Sequence, residues 1–544
     1  MDTTDHVTEG DPLKTGEEGA ESGTELKKTN WKEKLGVTKL THWRTGIFFF
    51  SLFLCLTIVF AFSFVLPCPV RPQYLISWNR SFPDAATYDF LAIEDTSADK
   101  VLDVVFALKT TEATVNNTCD KAGLPSPCVF VMAVDGTDGK TLWERGLHPE
   151  FHWAQCGLQG DTGRSWDCLL SHSDTITAVL KHNGDIKWQQ PQPAGLHTTV
   201  PVLSVPDLDG DKVGDVALVA SDKTQTKLAF LSGETGVQIG STVTLNSTET
   251  QKHLLHRTAQ GSYYVLLQQD SGLYGLALWR IAAQAQTGMK HNLKTDKDWE
   301  KSASAVSGLV PIYTSDPVRQ VLRTQETSDR SNLLLVTENV VTLIDGKTRQ
   351  QLWRFNTSSV LSEPSFGHFN KDGVLDVMVE EDVGNHTKRI VILDGTSGAA
   401  LWELDLLASP NSPRPASIHT TNFVSIFVFF GVVPSETNST IPLIGDRRSY
   451  MLHPLYSQVL LESANVMDHV VAYKATLLER GRHAAYFSLT GPATEGDGDT
   501  VVLSKRKLKQ DVPDSRVVPV VSGGSPETDD VIKEAFNRLR FSDE

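Results

Sequence analysis

None of the familiar catalytic spacings occurs in this chain. It has no His-Glu-x-x-His, no Gly-x-Ser-x-Gly and no glycine-rich dinucleotide fingerprint, so zincin, serine-hydrolase and dinucleotide chemistry lack their signatures. Cysteine is scarce, six in 544 residues, and without Cys-x-x-Cys spacing or matching histidines a structural zinc site is disfavoured. The sixteen histidines are scattered; HLLH at 253–256 offers only two ligands and reads as a strand edge. Basic residues are outnumbered, 50 Lys and Arg against 66 Asp and Glu, and the net charge of −16 argues against a nucleic-acid partner. It fits an ordinary solvated surface. Long apolar runs are missing too, with one exception.

That exception, IFFFSLFLCLTIVFAFSFVL from Ile47 to Leu66, carries no charge. Its length matches the roughly 20 residues that cross a hydrocarbon core of about 30 Å. Signal-peptide apolar regions are shorter, about 7–15 residues, and no small-residue cleavage site follows. Lys27, Lys28, Lys32, Lys34, Lys39 and Arg44 precede the run, whereas only Arg71 and Arg80 follow closely. Basic residues favour the cytoplasmic side, so the expected topology is a single-pass type II signal anchor with the C-terminal part outside the cell. The plasma membrane, reached through the secretory pathway, is the expected location. Residues 1–46 then form a cytoplasmic arm, acidic and mostly too polar to offset chain entropy by burial. A linker is expected over 67–84, a folded ectodomain over 85–505 and a tail over 506–544.

The glycosylation sequons agree with that topology. Asn79, Asn116, Asn246, Asn356, Asn385 and Asn438 all begin Asn-x-Ser/Thr and all follow the span. Cys119 and Cys128, then Cys156 and Cys168, form two closely spaced pairs suited to disulfides in an oxidising compartment. Sequence alone does not dictate connectivity, but 119–128 and 156–168 are the expected bonds.

The ectodomain repeats. VMAVDGTDGKTLWE (131–144), VTLIDGKTRQQLWR (341–354) and IVILDGTSGAALWE (390–403) each lead an apolar strand into Asp-Gly and then to tryptophan. The spacing is constant: Asp135 to Trp143, Asp345 to Trp353, Asp394 to Trp402. Fainter copies are AFLSGETGVQIG (229–240) and AVLKHNGDIKWQ (178–189), with YGLALWR (274–280) as an eroded sixth. Such a segment reads as a hairpin, Asp-Gly supplying the positive φ of a tight turn. One hairpin cannot cover its own apolar face, so a period of about 50 residues implies stacked units. The expected fold is an all-β ectodomain, a β-propeller of about seven blades, preceded by one transmembrane helix; a β-sandwich is the competitor. The Gly-Lys-Thr in DGTDGKT (135–141) is a turn, because the glycine a phosphate loop needs at 134 is Val134.

Three acidic loops alternate with these hairpins. VPDLDGDKVGDVALV (205–219) places Asp207, Asp209, Asp211 and Asp215 at positions 1, 3, 5 and 9 of one loop. DTSADKVLDVV (95–105) offers Asp95, Ser97, Asp99 and Asp103, and HFNKDGVLDVM (368–378) offers His368, Asn370, Asp372 and Asp376. Alternate oxygens with a carbonyl at position 7 suit calcium, which takes six to eight oxygen ligands. An EF-hand is excluded: position 12 is Leu218 rather than glutamate, and the flanks VLSV and VALVA are strands. Turn capping by the carboxylates is the competing reading.

The loop resembles the FG-GAP calcium loop of integrin-α-type propellers, D-x-D-x-D-G-x-x-D. That resemblance implies side-chain ligation by Asp207, Asp209, Asp211 and Asp215 and carbonyl ligation by Val213. The family glycine falls at Lys212, with Gly210 nearby; in the third loop Gly373 is in place but His368 replaces the first aspartate. Span, sequons, loops and tryptophan repeats together are similar to the type II FG-GAP membrane proteins named "family with sequence similarity 234", which implies a cell-surface location and no established enzymatic activity. The Trp repeat also looks like that of quinoprotein dehydrogenases, but their adjacent-cysteine signature is missing, so shared propeller packing is the simpler reading. The expectation is a non-enzymatic surface glycoprotein with structural calcium, binding a protein partner through its propeller. The alternative is an ancillary subunit of a multi-pass transporter or receptor. SPETDDVIKEAFNRLRF (525–541) reads as a helix capped by Ser525, with Pro526 in its first turn and Val531, Ile532, Ala535, Phe536 and Leu539 along one apolar stripe.

Overall fold

A computed structural model describes residues 42–65, 77–110, 119, 123–148, 150–157, 168–196, 202–221, 225–245, 253–288, 293–324, 331–408, 412–434, 448–463, 469–478, 482–492, 499–520 and 527–542. Cys68, Asn116, Asn246, Asn438, Ser525 and Pro526 lie outside them, as do residues 1–41 of the arm. The chain divides into two compact units, Met1–Pro72 and Gln73–Glu544. In the first, the helix His42–Val65 is long and apolar enough from Trp43 to Ala61 to cross a membrane. Phe48, Phe49, Phe50 and Phe53 stand exposed along it, an arrangement suited to lipid rather than water.

The second unit is built from antiparallel strands. Runs such as VFVMAV (Val129–Val134), LLLV (Leu333–Val336) and VVTLI (Val340–Ile344) are buried on both faces. They are central strands packed between two neighbouring layers, which is why they show no polar alternation. Seven hydrogen-bonded sheets form among the described residues, and six of them are single meanders of four or five strands. The seventh has seven strands and carries two meanders joined through one long strand, Trp78–Glu94. Residues Trp78–Ala85 of that strand pair with Asp499–Lys505, and Ala85–Glu94 pair with Asp103–Thr110, with one register shift within each half. Strands from the two ends of the second unit thus close it, as in a β-propeller. The first strand begins at Trp78, within the stretch anticipated as linker. At the other end Arg516–Pro519 adds to the edge strand Val459–Glu462.

The core lies between sheets. Leu334, Val336, Leu343 and Trp353 of one meander pack against Val377, Val379, Val391 and Leu393 of the next. Trp153, Leu169, Ile176 and Trp188 meet Val216, Leu218, Ala229 and Leu231 in the same way. At five junctions a tryptophan bonds the neighbouring meander. The indole N–H of Trp353 donates to the Gly395 carbonyl (2.8 Å), Trp143 to Lys181 (2.7 Å), Trp188 to Gly233 (3.1 Å), Trp78 to Gly136 (3.3 Å) and Trp402 to Ser457 (2.9 Å). Each acceptor sits in the hairpin turn of the neighbouring meander.

These turns differ from the expected two-residue Asp-Gly type. In 394–399 the N–H of Gly398 bonds the Asp394 carbonyl and the N–H of Asp394 bonds the Ala399 carbonyl, a pattern repeated at 135–140, 180–185, 232–237, 304–309 and 345–350. Positive φ falls four residues after the aspartate, at Gly139 (76°), Gly398 (72°) and their equivalents, not at the glycine next to it. Gly136 and Gly395 are small for another reason: a Cβ there would lie 1.9 and 2.1 Å from the carbonyls of Leu102 and Leu375.

Two further expectations are corrected. YGLALWR is no hairpin: Gly272–Ala277 is a strand and Trp279 lies in the helix Leu278–Ala285, part of an insertion before Leu309–Tyr313. From that insertion Trp299 takes up the junction, its ring stacked on His256 (centroids 5.3 Å) with Arg349 over it at 5.1 Å. Arg349, φ 60°, occupies the turn position that glycine holds elsewhere. The C-terminal helix runs Asp529–Arg538 behind Thr528, which makes no side-chain cap. Ile532, Phe536 and Leu539 pack on Ile418, Val428 and Met451, whereas Val531 is half exposed, because a ten-residue helix turns it away from that contact.

A matched pair of substitutions tests the seat of the tryptophan. Gly398→Ala would bring Cβ within 2.7 Å of the Trp353 ring, whereas Gly373→Ala, also at positive φ (78°), meets nothing within 4 Å. Both should lose about 1 kcal/mol to the left-handed backbone. Gly398→Ala should lose about 1–3 kcal/mol more by overpacking. Urea unfolding of the detergent-solubilised chain reads the difference, and equal losses would refute the seating.

Candidate metal centre

Each acidic loop joins the innermost strand of a meander to its second strand. Leu203–Val205 leads into 207–215, and Asp215 opens the strand Asp215–Ser221. Asp103 and Asp376 likewise open Asp103–Thr110 and Asp376–Gly384. All three of these final aspartates are fully buried.

Burial is tolerated because main-chain amides surround them. Asp103 Oδ2 accepts the N–H of Thr96 and of Ser97 (both 2.9 Å), and Oδ1 accepts Gly136 N–H (3.0 Å). Asp376 Oδ2 accepts from Phe369 (2.6 Å) and Asn370 (3.2 Å), and Oδ1 from Gly395 (3.0 Å). Asp215 Oδ2 accepts from Leu208 (2.6 Å) and Oδ1 from Gly233 (3.1 Å). The carbonyl of the same glycine accepts the neighbouring indole N–H in all three cases. An aspartate, a turn glycine and a tryptophan from the next meander thus form one relay, three times over. Sequence inspection did not anticipate this use of the glycine; its signal is the recurring glycine directly after Asp135, Ser232 and Asp394.

The remaining acidic side chains shape their loops. Asp207 accepts from Gly210 N–H (2.6 Å) and Lys212 N–H (2.9 Å), and Asp209 from Asp211 N–H (3.1 Å). Gly210 and Lys212 both have positive φ, 92° and 70°. The loop therefore keeps its left-handed residue at position 6 with a lysine in glycine's place. Lys100 and Gly373 do the same at 70° and 78°.

Carboxylate oxygens of Asp207, Asp209 and Asp215 converge to within 4.8 Å of one another. Asp211 is not part of that trio; its oxygens take Val213 N–H (2.7 Å) and the Ser232 hydroxyl (3.4 Å). Burial, with the charges of Asp209 and Asp211 adding to it, pushes Asp215 up to about 7 despite the amides of Leu208 and Gly233. Burial also raises Asp103 and Asp376. An all-oxygen, strongly anionic pocket with one carboxyl forced toward its neutral form fits a hard divalent cation. In the first loop Asp95 accepts from Lys100 N–H (3.2 Å) and Asp99 from Val101 N–H (2.7 Å), and the Asp95 Oδ1 atom is buried without a hydrogen-bond partner.

Elsewhere the anticipated disulfides are present, Cys119–Cys128 and Cys156–Cys168, with Cα atoms 5.8 and 4.1 Å apart. Asn79, Asn356 and Asn385 are exposed.

Fold and loops define a disulfide-bearing β-propeller in a chain with one candidate membrane-crossing helix. Residues 78–542 match the family model described as the FAM234A/B beta-propeller, and the chain belongs to that family. It is 35% identical to Protein FAM234A of Bos taurus over 516 residues, covering 93% of each chain. Identity to Protein FAM234B of Gallus gallus is 26% over 509 residues, 88% of this chain and 79% of that one, so the likeness is greater to the A member. Among solved structures, BamB from Moraxella catarrhalis aligns with 79% of this chain and 100% of its own, at 11% identity and a TM-score of 0.40.

The relay gives a stability prediction. Asp376→Ala leaves the amides of Phe369, Asn370 and Gly395 without their acceptor. At about 1–3 kcal/mol per orphaned buried donor, the loss should exceed ~3 kcal/mol. Denaturant unfolding of the variant measures it, and a loss below ~1 kcal/mol would mean the relay carries little.

Proposed function

We propose that this chain is a non-enzymatic cell-surface glycoprotein, anchored by one helix in type II orientation. Its eight-bladed ring, counted by giving each half of Trp78–Glu94 to a separate blade, presents a face to a protein partner. A structural calcium ion in the loop 207–215 stiffens that ring. The convergence of Asp207, Asp209 and Asp215 carries the calcium reading, and the FG-GAP likeness of the loop supports it. Asp215 links the ion, through Gly233, to the Trp188 junction. Extracellular modules bind calcium with Kd of about 10⁻⁴ to 10⁻³ M, matched to a compartment where it is always present. The loop 95–103, with its unpartnered Asp95 oxygen, is the second candidate. Exposed Asn79, Asn356 and Asn385 and the two disulfides support an ectodomain that matures in the secretory pathway.

Calcium should stabilise the fold relative to chelator by about 1.4 kcal/mol at ten times Kd, which raises the unfolding midpoint. The gain should depend on pH. Without the ion, folded Asp215 holds its proton up to about 7, above the unfolded value of 3.8, so stability falls as pH rises between those values. Calcium displaces that proton and cancels the loss, so its effect should be larger at pH 7.5 than at pH 5. Asp209→Ala should abolish it. Thermal scans checking these points would refute the site if calcium made no difference at pH 7.5.

The partner class is tested by paired affinity capture, with the secreted ectodomain (residues 72–544) and the detergent-solubilised full chain as baits. A surface ligand held by the ectodomain and released by chelation supports the receptor reading. Recovery of a multi-pass membrane protein by the full chain alone supports an ancillary subunit instead.

A further inference from the structure

We infer that His368 takes the place of the cation in the loop 368–376, so that this copy closes without metal; the inference rests on the reading of 207–215 as a cation loop. In register, His368 stands where Asp207 and Asp95 stand, and Val374 where Val213 and Val101 stand. A carboxylate at position 1 and a carbonyl at position 7 are both acceptors, so they cannot bond each other and a cation or another group must bridge them.

Histidine changes that chemistry. His368 Nδ1 lies 3.0 Å from the Val374 carbonyl oxygen. A carbonyl only accepts, so Nδ1 carries the proton and bridges the loop directly. The other side chains of the loop are committed as well. Asn370 donates through Nδ2 to Asp394 (3.1 Å) and accepts Asp372 N–H (3.2 Å). Asp372 accepts Val374 N–H (2.8 Å) and the Thr396 hydroxyl (3.1 Å). His368 is itself buried and held on both sides of its main chain. Its N–H donates to Ser425 Oγ (2.9 Å), and its carbonyl accepts Ser425 N–H (2.7 Å). The Asp376–Gly395–Trp353 relay is intact in this loop, so the junction it supports needs no ion. The loop itself has two carboxylates, Asp372 and Asp376, against four in 207–215; with Asp394, which Asn370 contacts, there are three to neutralise.

Position 1 is therefore the residue that decides whether a loop of this chain takes a cation. Amide hydrogen exchange on the full-length protein in detergent tests this, with millimolar calcium or chelator. In the wild type, amides 369–374 should exchange at the same rate in both. His368→Asn, whose amide can still donate to Val374, should behave like wild type; His368→Ala should exchange faster in both. His368→Asp should become calcium-responsive, slowing about tenfold at ten times Kd. A generally structural role for the histidine would not produce that gain. Calcium-dependent exchange of 369–374 in wild type overturns the inference, as does a folded His368→Asp variant indifferent to calcium. Should His368→Asp fail to fold, the wild-type and His368→Asn rates decide the matter. Amides 208–213, followed in the same experiment, report on 207–215 separately: no calcium effect there refutes that loop's reading without deciding the behaviour of 369–374.

Discussion

A tryptophan seated on the hairpin turn of its neighbour is the contact on which the propeller depends. No sheet here can cover its own faces, so each must be tied to the next in one orientation. At four of these seams, those of Trp78, Trp143, Trp188 and Trp353, the indole does this with two parts of its surface. Its N–H takes a turn carbonyl, and its ring lies against a glycine that admits no Cβ: a methyl group at Gly184, Gly236 or Gly398 would come within 2.3 to 2.7 Å of the ring. That close fit explains why glycine recurs at this turn position, although the tryptophan it seats arrives from the neighbouring meander.

The acidic loops gain their meaning from that contact. Asp103, Asp215 and Asp376 hold the amide of the glycine whose carbonyl receives the indole, so loop, turn and junction form one hydrogen-bonded chain. Whatever neutralises a loop also steadies the seam between two sheets. In 207–215 the demand is greatest, because burial and neighbouring charge drive Asp215 to about 7. In 368–376 a histidine stands at the first position, and its Nδ1 meets the Val374 carbonyl directly. On the proposed reading one scaffold has two solutions, and the difference lies in a single side chain. The proposed calcium and the two disulfides would stiffen the face that the proposed binding module presents.

Much of this was legible in the sequence because it rests on local chemistry. The Asp-to-Trp spacing announced the hairpins, the closely spaced cysteines announced their bonds, and the uninterrupted phenylalanine-rich run announced the helix. What escaped was set by contacts distant in sequence. Positive φ sits at Gly139 and Gly398 rather than beside the aspartate, because the turn is longer than an Asp-Gly pair implies. The sixth copy was misplaced at YGLALWR because its tryptophan, Trp299, arrives from an inserted helix and meets Arg349 where glycine is the rule. Trp78–Glu94 serves two meanders, which no local pattern reveals. In the third loop the sequence shows a histidine for the first aspartate, which left weak binding and none both open; only the 3.0 Å approach of His368 to Val374 shows its Nδ1 meeting that carbonyl.

The most direct measurement is an experimental structure of the chain grown in calcium, with anomalous scattering recorded at a wavelength where calcium contributes. One peak is expected, bounded by Asp207, Asp209 and Asp215, and none within 368–376, where His368 should bridge to Val374. No peak at the first position, or a peak at the second with the histidine displaced, would contradict the assignment of the two loops.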